Sequence, residues 1–252
     1  MPSPSFRSIT IFFSNSRAGL FNNDVGRGPE YLRDRGIIRV LRKKGITVHE
    51  VIVGSVDWAL GEIVCTFELM CRISKLVRSA QDENSLPIIL AGNSSFDAHN
   101  VLNMPDTMTL GSFDAMSLSF MGGLCFKALL SSVPGFGAMD LGKLVHVGLR
   151  DIDDAQRRYV EETGLSVVWG CEWPKPNFEA ELSKFLDEKK AELQPTLVHV
   201  DADCLNTSID RANRYPVPGG LLKADLVGSL QTIAAKSMPL ALMSKQMLSS
   251  DE

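Results

Sequence analysis

The chain has 252 residues, 44% of them hydrophobic, and a net charge of -4, so it can bury a substantial core and carries no basic field for nucleic acid. Its five cysteines are an odd number without Cys-x-x-Cys spacing, which argues against a disulfide framework or structural zinc and suits reduced thiols in a cytoplasmic protein. The apolar run at residues 9–13 is too short for the core of a signal peptide, and no stretch reaches membrane-spanning length, so no membrane partner is expected.

Residues 8–13 read as a first strand, and residues 14–25, rich in Asn, Ser and Gly, as the loop leaving its end. Gly26-Arg27-Gly28-Pro29-Glu30 opens a helix, with Pro29 in the first turn and Glu30 at the positive end of the dipole. Residues 46–53 form a second strand, and residues 58–78 place Ile63, Phe67, Met70, Ile73 and Val77 at helical spacing. A buried strand at 86–91 runs into the turn chemistry of Gly92-Asn93-Ser94-Ser95. Next come Asp97 and His99, two residues apart, which read either as a metal pair or as satisfied structural residues.

Residues 115–130 have a mixed apolar pattern read as helix, with Gly122-Gly123 inside it. A buried strand at 143–149 ends in Gly148-Leu149-Arg150-Asp151-Ile152-Asp153, followed by helix at 156–162, a short strand at 166–169 and an amphipathic helix at 178–193. Residues 196–200 are short, apolar and β-branched, a further buried strand. A helix at 222–235 and an apolar run at 239–243 precede a polar end. Alternating strands and helices predict one α/β domain over residues 1–252 with a mostly parallel sheet.

Asp201 and Asp203 arrive where the strand at 196–200 stops, which is where α/β sheets present ligands. Alternate residues of an extended chain point the same way, so two hard oxygen donors can converge on one cation, and two adjacent carboxylates repel unless a cation, a donor or a shared proton stabilises them. By itself Asp-x-Asp also occurs in surface loops and in nucleotide-sugar enzymes.

The stretch Asp201-Ala202-Asp203-Cys204-Leu205, continuing to Tyr215-Pro216-Val217-Pro218-Gly219-Gly220-Leu221, closely resembles the signature of the ureohydrolases, the arginase, agmatinase and formimidoylglutamase family. Gly28-Pro29 with Leu32-Arg33, Phe96-Asp97-Ala98-His99 and Gly148-Leu149-Arg150-Asp151-Ile152-Asp153 resemble three further motifs of that family, nearest to its bacterial and fungal arginase-like branch. The resemblance covers residues 26 to about 230. It implies a three-layer α/β/α ureohydrolase-like fold, a small guanidino or amidino compound as substrate, and a manganese-dependent hydrolase of its C–N bond. Homo-oligomer formation is left open.

In that family two manganese ions activate the water that attacks the substrate carbon, through six ligands from three motifs. Asp97, His99, Asp201 and Asp203 match four of the six, and all four belong to one of the two ions. Ser94 stands where the family has a ligand His, and Val101 where it has a ligand Asp. The expectation is therefore one Mn²⁺ rather than two, or none, and the alternative to an enzyme is a catalytically inactive member, a pseudoenzyme acting as a binding or regulatory subunit. Asp114 occupies the proton-transfer position, while Asn103 and Asp153 match residues that hold the substrate's polar tail in arginases. Leu110, Ser112 and Tyr215 depart from the arginine-binding pattern.

Two more departures are structural. The helix and strand that the family places before Asp-Ala-His are missing, so the fold is expected to be shortened internally, with a sheet that lacks a central member and a mobile segment at 92–105. The chain is also expected to be shortened at the C-terminus, with no counterpart of the family's last strand: Pro239 interrupts residues 238–252, which are predicted to fray.

Overall fold

A computed structural model describes residues 6–17, 24–93, 103–105, 116–150, 152, 154–189, 195–209 and 217–245. Strands β1 (Ser8–Arg17), β2 (Val48–Ile52) and β3 (Ser85–Asn93) are joined by helices α1 (Gly28–Asp34), α2 (Ile37–Lys43) and α3 (Glu62–Asp82). Beyond them lie α4 (Ser117–Met121), α5 (Lys127–Leu130), β4 (Val145–Leu149), α6 (Asp154–Thr163), β5 (Ser166–Trp169), α7 (Phe178–Glu188), β6 (Thr196–Asp201), α8 (Lys223–Lys236) and β7 (Pro239–Lys245).

All pairings between these strands are parallel. Five strands form one sheet in the order β2-β1-β3-β7-β6, while β4 and β5 form a second, two-stranded sheet. The alternation of side chains explains the layers. From the first sheet Phe12, Ile89, Ala91 and Met243 face α3, meeting Cys65 and Leu69. Their neighbours Ile11, Phe13 and Leu90 face the other way, against Ile38 and the partly buried Leu32, Ile37 and Leu41 of α1 and α2. The second sheet is covered likewise, by Val160 of α6 near Leu149 and by Phe178 of α7 near Val168.

Two expectations need correction. Residues 239–245 do not fray but form β7, and β7 is internal to the sheet, paired with β3 from Ile88↔Leu242 and with β6 from Leu197↔Ala241. Pro239 is tolerated because it is the first residue of the strand, where the missing N–H costs little: Thr196 N–H donates to the Met238 carbonyl at 3.0 Å, one residue earlier. The predicted helix over 115–130 is in fact two short helices, because the chain turns at Gly122-Gly123 and Gly123 has φ +64°.

The residues where an internal shortening would show, 94–102 and 106–115, lie outside the described residues, and the described strands fall into two sheets. Among the described residues no strand lies between β6 and β4, and Leu197 on β6 is 55% exposed, as expected of an edge. The segment 94–102, for which the sequence predicts mobility, lies outside the described residues. No helix among the described residues is long and apolar enough to cross a membrane.

Candidate active site

Parallel pairing sets the site's level. Ser14 of β1 pairs with Ala91 of β3, Ala91 with Lys245 of β7, and Lys245 with Asp201 of β6, so these four residues stand in one row at the C-terminal edge of the sheet. One residue past that row β3 reaches Gly92, from which the chain proceeds towards Asp97 and His99. Strand ends of a parallel sheet are the usual ligand-binding edge.

At Asp201 the strand passes into a single 3-10 turn, Ala202–Cys204. Asp201 and Asp203 are only 8% and 7% exposed. The Asp201 side chain accepts the Asp203 backbone N–H at 2.9 Å through Oδ1, which fixes the Asp201 carboxylate against the backbone of the turn. Two carboxylates buried on one turn are stabilised by a cation, a donor or a shared proton. As hard oxygen donors they suit a divalent cation, so this half of the expected ligand set fits manganese. Among the described residues no three His, Cys, Asp or Glu side chains form a metal-holding group. The other expected ligands, Asp97 and His99, lie outside the described residues, as do Ser94, Val101, Asp114 and Asp153.

Asn103 is described, and it sits between helices rather than in the row of strand ends. Its Oδ1 accepts from Gln156 Nε2 of α6 at 3.2 Å, and its carbonyl accepts from Ser119 Oγ of α4 at 2.8 Å.

The Gly219-Gly220 pair has a steric reason. A Cβ on Gly220 would lie 2.5 Å from the Cys204 carbonyl oxygen and 2.6 Å from that of Leu205, closer than any side chain tolerates. One on Gly219, where φ is +89°, would lie 2.8 Å from Cys171 C and Glu172 N. The loop is thereby pressed against the Asp-x-Asp turn, and Leu221 N–H donates to the Cys204 carbonyl while Asn206 N–H donates to the Leu221 carbonyl, both at 2.8 Å. Asp225 then caps α8 by accepting the Leu222 N–H at 2.7 Å, and it pairs with Lys175. Cys204 is carried into this packing, and its thiol is pushed up to about 12, first by burial and then by Asp201, with Arg150 pulling the other way.

Arg150 is the residue that pattern reading misses. The motif around it is legible, but the use of its guanidinium is not. It donates to the carbonyls of Val217 at 3.0 Å, Gly148 at 3.0 Å, Asp203 at 2.8 Å and Leu205 at 3.2 Å. Gly148, whose φ is +87°, is the one hint in the sequence that the chain turns sharply there.

The Arginase family model matches residues 16–242. Arginase-1 of Oryctolagus cuniculus is 31% identical over 254 residues, covering 85% of this chain and 77% of that protein. Arginase-1 of Xenopus laevis is 25% identical over 252 residues, covering 84% and 78%. The crystal structure of Entamoeba histolytica arginase in complex with L-ornithine shares the fold with a TM-score of 0.81 at 17% identity, covering 96% of this chain and 91% of that one. The chain belongs to the arginase family, and its architecture is the three-layer α/β fold of that family.

Proposed function

We infer that this protein is a hydrolase of a guanidino or amidino C–N bond that works with one manganese ion held by Asp97, His99, Asp201 and Asp203. The observation that carries this reading is the buried Asp201–Asp203 turn at the C-terminal edge of the sheet, in a chain whose relatives are arginases. Bound manganese would supply a Lewis acid that brings the pKa of a water towards neutrality. The chain's own part is to present both carboxylates from one turn, with Asp201 held by the Asp203 N–H, and to exclude bulk water by their burial. Oxygen from water forms the new bond to the substrate carbon, the C–N bond breaks, and a proton passes to the leaving nitrogen, with Asp114 in the proton-transfer role. Asn103 and Asp153 would hold the substrate's polar tail.

A second reading is favoured by Ser94 and Val101: an inactive family member that binds a guanidino compound or a partner protein without turnover. Metal content and urea release separate the two. One equivalent of manganese with measurable turnover of a guanidino compound supports the first, and two equivalents would overturn the single-ion site. No metal and no turnover supports the second. With excess manganese, arginine turnover is expected below about 1 per second, the low end of the ordinary enzyme range. Asp201→Asn is expected to abolish manganese uptake, and unchanged uptake would remove the ligand assignment.

A further inference from the structure

We propose that Arg150 is a positioning residue which clamps the Asp201–Asp203 turn across the break between the two sheets, so that manganese affinity depends on it although its described bonds go to carbonyl oxygens. The proposal rests on the metal reading above and adds a residue outside the ligand set.

The break creates the need. Between β6 and β4 no ladder runs among the described residues, so the described contacts that align the end of β6 with the neighbouring sheet are made by side chains and loops. The carbonyls of Asp203 and Leu205 project from this turn, and buried carbonyls left without donors are costly. Arg150, one residue beyond the end of β4, supplies donors to both through Nη2, while Nη1 holds Gly148 at the end of its own strand and Nε holds Val217 of the Gly-Gly loop. One planar group thus ties three segments together: the end of β4, the carboxylate turn and the loop.

Geometry restricts the choice of residue. A guanidinium offers five N–H groups in a rigid fork, whereas an ammonium is a single point of donation. The stem is confined as well. A Cβ on Gly170 would lie 3.0 Å from Arg150 Cδ and 2.9 Å from the Gly219 carbonyl oxygen, so glycine leaves the channel through which the side chain reaches the turn. The four bonds use carbonyl oxygens, so through them the guanidinium brings positive charge to the turn.

The test compares the full-length chain with Arg150→Ala and Arg150→Lys. Manganese titration is expected to show affinity weakened about 10- to 100-fold in Arg150→Ala, the range for residues that orient metal ligands, and an intermediate loss in Arg150→Lys. Amide hydrogen exchange without manganese is expected to accelerate at Leu205, Asn206 and Leu221 while β1 and β3 stay protected. If Arg150→Ala does not fold, Arg150→Lys carries both measurements. Affinity within twofold of the wild type, or exchange accelerated evenly over the whole sheet, would overturn the proposal. A wild-type chain that takes up no manganese defeats the metal reading and the affinity claim with it, while acceleration confined to the turn would still show the clamp.

Discussion

The two sides of β6 are held by different means. Towards β7 and β3 the chain is joined by continuous parallel ladders, Leu197–Asp201 to Ala241–Lys245 and Ile88–Ala91 to Leu242–Lys245. Towards β4, among the described residues, it is joined by one arginine, by close glycine contacts, by two backbone bonds between the turn and the Gly-Gly loop, and by the packing of Cys204 and Leu221 with Val147 and Val168. A ladder uses groups that every residue but proline carries, so it tolerates substitution as long as each side chain fits its face. The junction uses groups that single residues supply, so it does not. The carboxylates lie where the two kinds of support meet.

The largest effect should come from removing the ladder altogether. Deleting residues 239–252 takes β7 from between β3 and β6, leaving both with unpaired backbone and uncovering the core around Met243. The expected result is loss of cooperative unfolding, read by circular dichroism in urea. A truncated chain that unfolds cooperatively near the wild-type midpoint would show that β7 is not needed at the centre.

On the junction side, Gly220→Val should cost about 3 kcal/mol, the upper part of the usual range, because the added atoms meet the backbone oxygens of Cys204 and Leu205 rather than the end of a flexible side chain. On the ladder side Leu242→Val, a change of one methylene in a half-buried strand residue, should cost only about 1 kcal/mol. Urea midpoints for the pair measure the contrast directly, and equal losses would erase the distinction between ladder and junction.

The smallest effect concerns Cys204. Its folded pKa of about 12 lies above the ordinary 9.0, so folding favours the protonated thiol. The contribution is fully present below pH 9.0 and is lost as pH rises towards about 12, because only the unfolded chain releases the proton in that interval. Urea midpoints of the metal-free chain should therefore fall between pH 8 and pH 10 (set about one unit either side of the ordinary value), and less steeply in Cys204→Ala. An identical slope in both would show that the thiol is not shielded.

Much of this protein is legible in its amino-acid sequence alone. Apolar runs at 86–91, 166–169 and 196–200 correspond to β3, β5 and β6 with ends shifted by no more than two residues, since a buried parallel strand must be apolar on both faces. The motifs around Asp201 and Gly219-Gly220 point to the family, because those positions combine a required charge with required absence of a side chain. The helix expected over 58–78 follows from its spacing but spans Glu62–Asp82, because residues 58–60 form a separate 3-10 turn that ends at Gly61. By contrast, the run Pro239-Leu240-Ala241-Leu242-Met243 has the local pattern of an interrupted tail. Its place depends on β3, some 150 residues earlier, and on β6, some 40 residues earlier, and only their ladders make an internal strand of it. The same holds for Arg150, which is followed in sequence by Asp151 and Asp153 but whose bonds reach residues 203, 205 and 217. Local pattern records which faces must be buried and which residues carry charge. Which backbone groups a strand edge or a guanidinium will meet is decided by contacts between distant segments, which no local pattern encodes.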